Sequence, residues 1–186
     1  MHTDTRNIIL IGMPGAGKST VGVLLAKAIT CNFTDTDVLI QTRAGRALQE
    51  IVDTDGHLAL RKLEEEVLLD LHTQQHVIAT GGSAPYSAAA MTHLKRNGIV
   101  IFLWVDPPTL LRRIGDFSGR GLAKHPDQTF EELYAEREAL YERYADITIN
   151  AAAGNHDHVC ADIIAKLSTI EGKQNHQNQT DNKPCQ

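Results

Sequence analysis

The segment GMPGAGKS, residues 12–19, constrains this chain more than any other. It satisfies G-x-x-x-x-G-K-[S/T] in full and lies between an apolar run, IILIG (8–12), and a helical pattern, STVGVLLAKAI (19–29). A strand, a glycine-rich turn and a helix, in that order, are what a phosphate cradle requires. Glycines let successive backbone N–H groups point at phosphate oxygens, and the helix N-terminus adds the positive end of its dipole. In such a loop Lys18 reaches the β- and γ-phosphates, and the Ser19 hydroxyl is placed for Mg²⁺. The segment predicts a nucleotide site. It does not say what becomes of the phosphate.

Five short runs rich in β-branched residues alternate with helical patterns: 8–12, 32–36, 76–80, 99–105 and 146–150. The second, NFTDT, is weak as a strand and gains support from standing between two helical patterns. This alternation predicts an α/β fold with a buried parallel sheet. A length of 186 residues, 42% apolar and 22% charged, fits one ordinary globular domain. Residues 1–170 are expected to form it, and the polar, Asn/Gln-rich segment 171–186 is expected to be a disordered tail. A net charge of −5 argues against non-specific nucleic-acid binding. No apolar run approaches the roughly 20 residues that span a bilayer, and MHTDTRN carries no apolar signal core. Cys31, Cys160 and Cys185 are odd in number and far apart, which suits free thiols better than a disulfide framework or a zinc site. A cytoplasmic monomer with neither nucleic-acid nor membrane partners is the expectation.

Magnesium beside a phosphate cradle commonly takes a carboxylate from a neighbouring strand end. The run HVIAT (76–80) leads instead into Gly81, Gly82 and Ser83, with no acid. The nearest acids are Asp35 and Asp37, at the carboxyl end of the second strand, where ligands of open α/β sheets gather. In an extended segment the two project to the same side. Asp35 then holds Mg²⁺ through water, and Asp37 accepts a proton from an attacking hydroxyl. The alternative is that one of them caps the following helix, VLIQTRAG.

Two helical patterns carry arginine on an inward face. In FEELYAEREALYERYAD (130–146), Phe130, Leu133, Tyr134, Tyr141 and Tyr144 share one face with Arg137 at its centre, whereas Arg143 points away. In LALRKLEEEVLLDL (58–71), Leu60, Val67, Leu68 and Leu71 define a face, with Glu64 near its centre and Arg61 on its edge. The spacing of three lets Glu64 orient Arg61. An inward arginine needs an anionic partner, either an internal carboxylate or a ligand. Two of them from separate helices suit a carboxylate, whose geometry matches guanidinium. Between them, RIGDFSGRGLAKHPD (113–127) has the composition of a lid or of a plain surface loop. A lid would let Arg120 close over the phosphates and Arg113 stack on the base.

With these pieces in place, the chain resembles the shikimate kinase family, over roughly residues 7–168. GMPGAGKST resembles the family's phosphate loop, DTD its Asp-x-Asp, LRKLE its Phe-Arg-x-x-Glu and TGGS its Gly-Gly-Gly turn. RGL resembles the lid's Arg-Pro-Leu, and REALYERYAD the Arg-x-x-x-Tyr…Ala-Asp segment. The resemblance implies a three-layer α/β/α kinase fold with five parallel strands in order 2-3-1-4-5, a substrate-binding region over about 37–65 and a lid over about 113–127. It implies transfer of the ATP γ-phosphoryl to a hydroxyl of shikimate, in aromatic amino-acid biosynthesis.

Carried over by position, Gly12, Pro14, Gly15, Ala16, Gly17, Lys18, Ser19, Thr20, Arg113 and Arg120 meet ATP, with the loop near Ala152 to Asn155 beside adenine. Asp37, Arg61, Gly81, Gly82, Ser83 and Arg137 meet the acceptor, and Ser19 and Asp35 (through water) serve Mg²⁺. Lys18, Asp37 and Arg120 are the implied catalytic set. Three positions depart from the family pattern: Ser83 for the third glycine, Gly121 for the lid proline and Leu60 for the Phe. All lie near the acceptor or lid. A kinase of the same design for another hydroxylated carboxylic acid is therefore the nearest alternative, ahead of a gluconate-kinase-like reading. A nucleotide-gated regulatory module without turnover stands further off, because tandem acids and inward arginines serve an acceptor.

Overall fold

A computed structural model describes residues 5–115, 123–125 and 127–180. Its centre is a five-stranded sheet built from β1 (Asn7–Ile11), β2 (Asn32–Asp35), β3 (His76–Ala79), β4 (Gly98–Trp104) and β5 (Ile147–Asn150). All pairings are parallel and the order is β2-β3-β1-β4-β5, as the family resemblance implies. β1 lies in the middle, with Ile9 in register with Ile78 on one side and Val100 on the other. Every residue of β1 is buried, because helices cover both faces of the sheet. β2 is one of the two outer strands, paired among the described residues with β3 alone, and its half-exposed side chains explain its weak strand pattern.

The helices are α1 (Lys18–Ile29), α2 (Thr36–Ala44), α3 (Leu48–Asp55), α4 (His57–Leu69), α5 (Ala88–Lys95), α6 (Pro107–Ile114), α7 (Phe130–Tyr144) and α8 (His156–Thr180). Apolar side chains of the sheet, α1, α5, α7 and α8 join one large core, whereas Ile40, Ile51, Leu60, Val67 and Ala123 form a second, smaller one. The smaller core lies under α2, α3 and α4, the segment expected to hold the acceptor. α7 begins at a capping box: the Thr129 hydroxyl accepts from the Glu132 N–H, and the Glu132 carboxylate accepts from the Thr129 N–H. That start fixes which face of α7 turns inward. α8 continues as helix to Thr180, into the polar segment expected to be disordered, and 181–186 lie outside the described residues. Among the described residues no helix is long and apolar enough to cross a membrane.

Tyr141 shows how α7 is tied to the sheet. It is fully buried, its ring lies 5.1 Å from that of Phe102, and its hydroxyl donates to the Gly82 carbonyl at 2.7 Å. Phenylalanine keeps the ring and deletes the donor, leaving that carbonyl without it. Tyr141→Phe should therefore lower the unfolding free energy by about 1–2 kcal/mol, read in urea titrations as an earlier midpoint with an unchanged slope. An unmoved midpoint would show that this bond contributes nothing.

Candidate active site

The phosphate loop joins β1 to α1. Gly17 caps α1 with φ 95°, a left-handed conformation that side chains other than glycine rarely tolerate, and Lys18 opens the helix. The Lys18 side chain is buried and donates to the Gly12 and Met13 carbonyls at 2.8 and 3.0 Å. Burial pulls its ammonium down to about 8, against the opposing pull of the Asp37 and Glu64 carboxylates. A cavity of about 630 Å³ opens here, bounded by Pro14, Gly15, Gly17, Lys18, Ser19 and Thr20. Gly12 and Ala16, also expected at the nucleotide, are buried behind this wall.

Of the two acids only Asp37 reaches the same cavity, and by a route other than the expected one. The chain does not stay extended through Thr36. Asp35 ends β2 and becomes the N-cap of α2, its carboxylate accepting from the Asp37 N–H at 2.9 Å. Asp37 therefore sits in the first turn of α2 and borders the cavity, while Asp35 supports it from behind. Both readings of the pair apply: one residue caps, and the other faces the ligand space.

β3 ends in Thr80, and the bare backbone of Gly81 and Gly82 follows. The Gly81 N–H donates to the Thr36 hydroxyl at 3.0 Å, which ties this turn to the start of α2. A Cβ at Gly81 would stand 2.8 Å from Asp37 Oδ1 and in collision with Glu64 Oε1. A Cβ at Gly82 would stand 2.8 Å from Arg137 Nη1 and 2.9 Å from Pro14 Cδ. Only glycine lets these four side chains approach so closely.

Arg61 from α4 and Arg137 from α7 converge as expected, and both donate to one atom. The Ala123 carbonyl accepts from Arg61 Nη2 at 3.1 Å and from Arg137 Nη2 at 2.9 Å. Arg61 lies 3.5 Å above the centre of the Tyr86 ring, and Arg137 lies 5.7 Å from it. The Nε atoms of both arginines are buried without a hydrogen-bond partner. The expected orientation of Arg61 by Glu64 is absent. Glu64 turns to Ser83 instead, whose hydroxyl donates to its Oε2. Burial, aided by the nearby Asp37 charge, pushes the Glu64 carboxyl up to about 7.

Arg113, at the end of α6, lines the cavity and donates to the Ala151 and Ala152 carbonyls, at 2.8 and 3.4 Å, in the loop after β5. Arg120 and Gly121 lie outside the described residues. Three contributors were missed. Tyr86 is hidden in a short 3-10 turn (Ala84–Tyr86) with no periodic signal. Ala123 acts through its backbone, which side-chain reasoning does not see. His156 borders the cavity with Nε2 3.3 Å from a Cβ placed on Gly17, one residue past the loop expected at adenine.

The phosphate cradle, the Asp37 carboxylate and the buried Arg137 guanidinium border one cavity, and the half-buried Arg61 meets Arg137 at the Ala123 carbonyl beside it. The family model described as shikimate kinase matches residues 14–168. A shikimate kinase of Thiobacillus denitrificans is 36% identical over 170 residues, covering 90% of this chain and 93% of the relative. A solved shikimate kinase from Acinetobacter baumannii, in complex with shikimate, superposes with a TM-score of 0.82 at 31% identity, covering 89% of this chain and 94% of that one. The shikimate kinase of Aquifex aeolicus superposes at 0.75 with 32% identity, covering 89% of this chain and 98% of that one. The chain belongs to the shikimate kinase family.

Proposed function

We propose that this chain transfers the γ-phosphoryl group of ATP to a hydroxyl of shikimate, yielding 3-phosphoshikimate and ADP, as a cytoplasmic monomer. The observation that carries the acceptor reading is the convergence of Arg61 and Arg137 on one carbonyl oxygen, 3.1 and 2.9 Å away. A neutral carbonyl balances two guanidinium charges poorly. A carboxylate in its place offers two charged oxygens in the geometry guanidinium prefers. The acceptor is thus an acid, and Asp37 and the Gly81–Gly82 backbone border the space beside its carboxylate.

ATP lies with its phosphates along the Gly12–Thr20 loop and its base against Arg113 and the loop after β5, which Arg113 already ties together. Lys18 holds the β- and γ-oxygens. For Mg²⁺, Ser19 borders the cavity, and the Asp35 carboxylate, which stands back from the cavity with one oxygen taken by the cap, would serve the ion only through water. So few protein ligands suit an ion that keeps several waters and binds substrate phosphates. When bound, the ion neutralises charge developing between the β- and γ-phosphates. Asp37 accepts the proton of the acceptor hydroxyl as its oxygen bonds to the γ-phosphorus. The bond from that phosphorus to the β-phosphate oxygen breaks, and ADP departs. Arg120 is assigned to the transferring charge by family position. Ser83, where the family pattern has glycine, favours a second reading in which the acceptor is a related hydroxy acid.

A coupled ADP-release assay with shikimate and a panel of hydroxy acids tests the acceptor. Strong stimulation by shikimate is expected; stimulation only by another acid would move the assignment to that acid, and release independent of any acceptor would revive the regulatory reading. Asp37→Asn should cut kcat by about a hundredfold or more while ATP affinity measured by calorimetry stays near that of the parent. Equal loss of both would remove Asp37 from the proton-accepting role. Arg137→Ala should raise KM for the acceptor by about a hundredfold, with KM for ATP little changed, and a loss confined to ATP would place the clamp elsewhere.

A further inference from the structure

Tyr86 has no place in the phosphoryl chemistry, yet both arginines lie against its ring. The Arg61 guanidinium carbon stands over the ring, 3.5 Å from its centre, and that of Arg137 stands 5.7 Å from it. Two guanidinium charges that share one neutral carbonyl repel each other, and the electron-rich face of an aromatic ring offsets part of that repulsion. Stacking uses the flat face of a guanidinium and leaves its N–H edge to hydrogen bonding. Arg61 does both at once, with its face on Tyr86 and Nη2 donating to the Ala123 carbonyl.

The ring is itself held. Tyr86 is half-buried and ends the 3-10 turn Ala84–Tyr86, in which Pro85 fixes one backbone angle. The Tyr86 N–H donates to the Ser83 carbonyl at 3.0 Å. Ser87, the next residue, caps α5 by accepting from the Ala90 N–H at 3.0 Å. The turn packs against α4, which carries Arg61, and against α7, which carries Arg137. Tyr86 therefore presents a fixed surface to two long side chains whose rotamer freedom a ligand would otherwise have to remove.

We propose that Tyr86 is a positioning residue for the acceptor: its ring holds the Arg61 guanidinium, and more weakly that of Arg137, in place before an acid arrives. Tyr86 acts through Arg61 and does not itself meet the acceptor. When an acid displaces the Ala123 carbonyl, the ring keeps the Arg61 face supported and its N–H edge free. The inference rests on the reading of the site as one for shikimate.

Steady-state kinetics on the full chain test it. Tyr86→Leu and Tyr86→Gln, which remove the ring, should each raise KM for shikimate about tenfold, the loss of a desolvated cation–π contact, and leave KM for ATP unchanged. Tyr86→Phe keeps the ring and should restore the parent value. In an Arg61→Ala background, Tyr86→Leu should have no further effect on KM for shikimate. The proposal is overturned if the ring-free variants match the parent, if neither of them folds, or if Tyr86→Phe is as impaired as Tyr86→Leu. It is equally overturned if KM for shikimate and ATP rise together, or if the Tyr86 and Arg61 effects multiply. Failure of the substrate reading would be seen in the parent protein, as absence of shikimate turnover. Failure of this inference alone would be seen only among the variants.

Discussion

The site depends on two residues that have no side chains. After β3 the backbone runs through Gly81 and Gly82, and four elements come within a carbon's breadth of it: α2 with Asp37, α4 with Glu64, α7 with Arg137 and the phosphate loop with Pro14. A single methyl at either position would displace carboxylate or guanidinium groups on one side or the phosphate loop on the other. The turn is also pinned where it stands. Thr36 accepts from its N–H, and the Tyr141 hydroxyl reaches its carbonyl. The carboxyl end of β3 thus becomes a common wall for the phosphate loop and for Asp37, Glu64 and Arg137.

That convergence gathers buried ionisable groups around one cavity. Lys18, Glu64 and Arg137 are each buried and Asp37 borders the same cavity, so each charge is held by its neighbours rather than by solvent. Lys18 is kept close to deprotonation and Glu64 close to protonation by the same burial, with Asp37 acting on both. Binding of phosphates beside Lys18 and of a carboxylate beside the arginines would supply the missing counter-charges. The free site is therefore arranged for two anions, and neither half is electrostatically complete without its ligand.

Much of this was legible in the sequence, for physical reasons that differ between features. The phosphate loop and the strands are local: glycine conformations, β-branched runs and the helix that follows are fixed by neighbours in the chain. The inward arginine at Arg137 was legible because a charge at the centre of an apolar helical stripe has few explanations. The partner of Glu64 was not. Helical spacing put Arg61 within its reach, but Ser83, 19 residues further on, competes from another element and wins. The geometry of Asp35 and Asp37 was left open between two options for a related reason: an extended segment and an N-cap read alike until the start of α2 is known. Ala123 was out of reach altogether, since the atom that matters is a backbone carbonyl whose identity no side chain reveals.

The two cores give the clamp a mechanical meaning. α7 is anchored in the large core through Leu133, Tyr134 and Tyr141, and carries Arg137. Ala123 belongs to the small core with Ile40 and Ile51, and α4 straddles both, with Leu68 in the large core and Leu60 and Val67 in the small one. Arg61 follows Leu60 directly, on the part of α4 that packs with the small core. Arg61 and Arg137 thus come from differently packed parts of the fold and meet at the Ala123 carbonyl. In the proposed reaction a carboxylate between them would bridge the two parts and so bear on how the small core sits over the phosphate loop. Asp37 rides on α2, within that small core and one turn before Ile40. In the proposed reaction the acceptor's carboxylate, remote from the bond being made, would thus help to place Asp37, the proposed base.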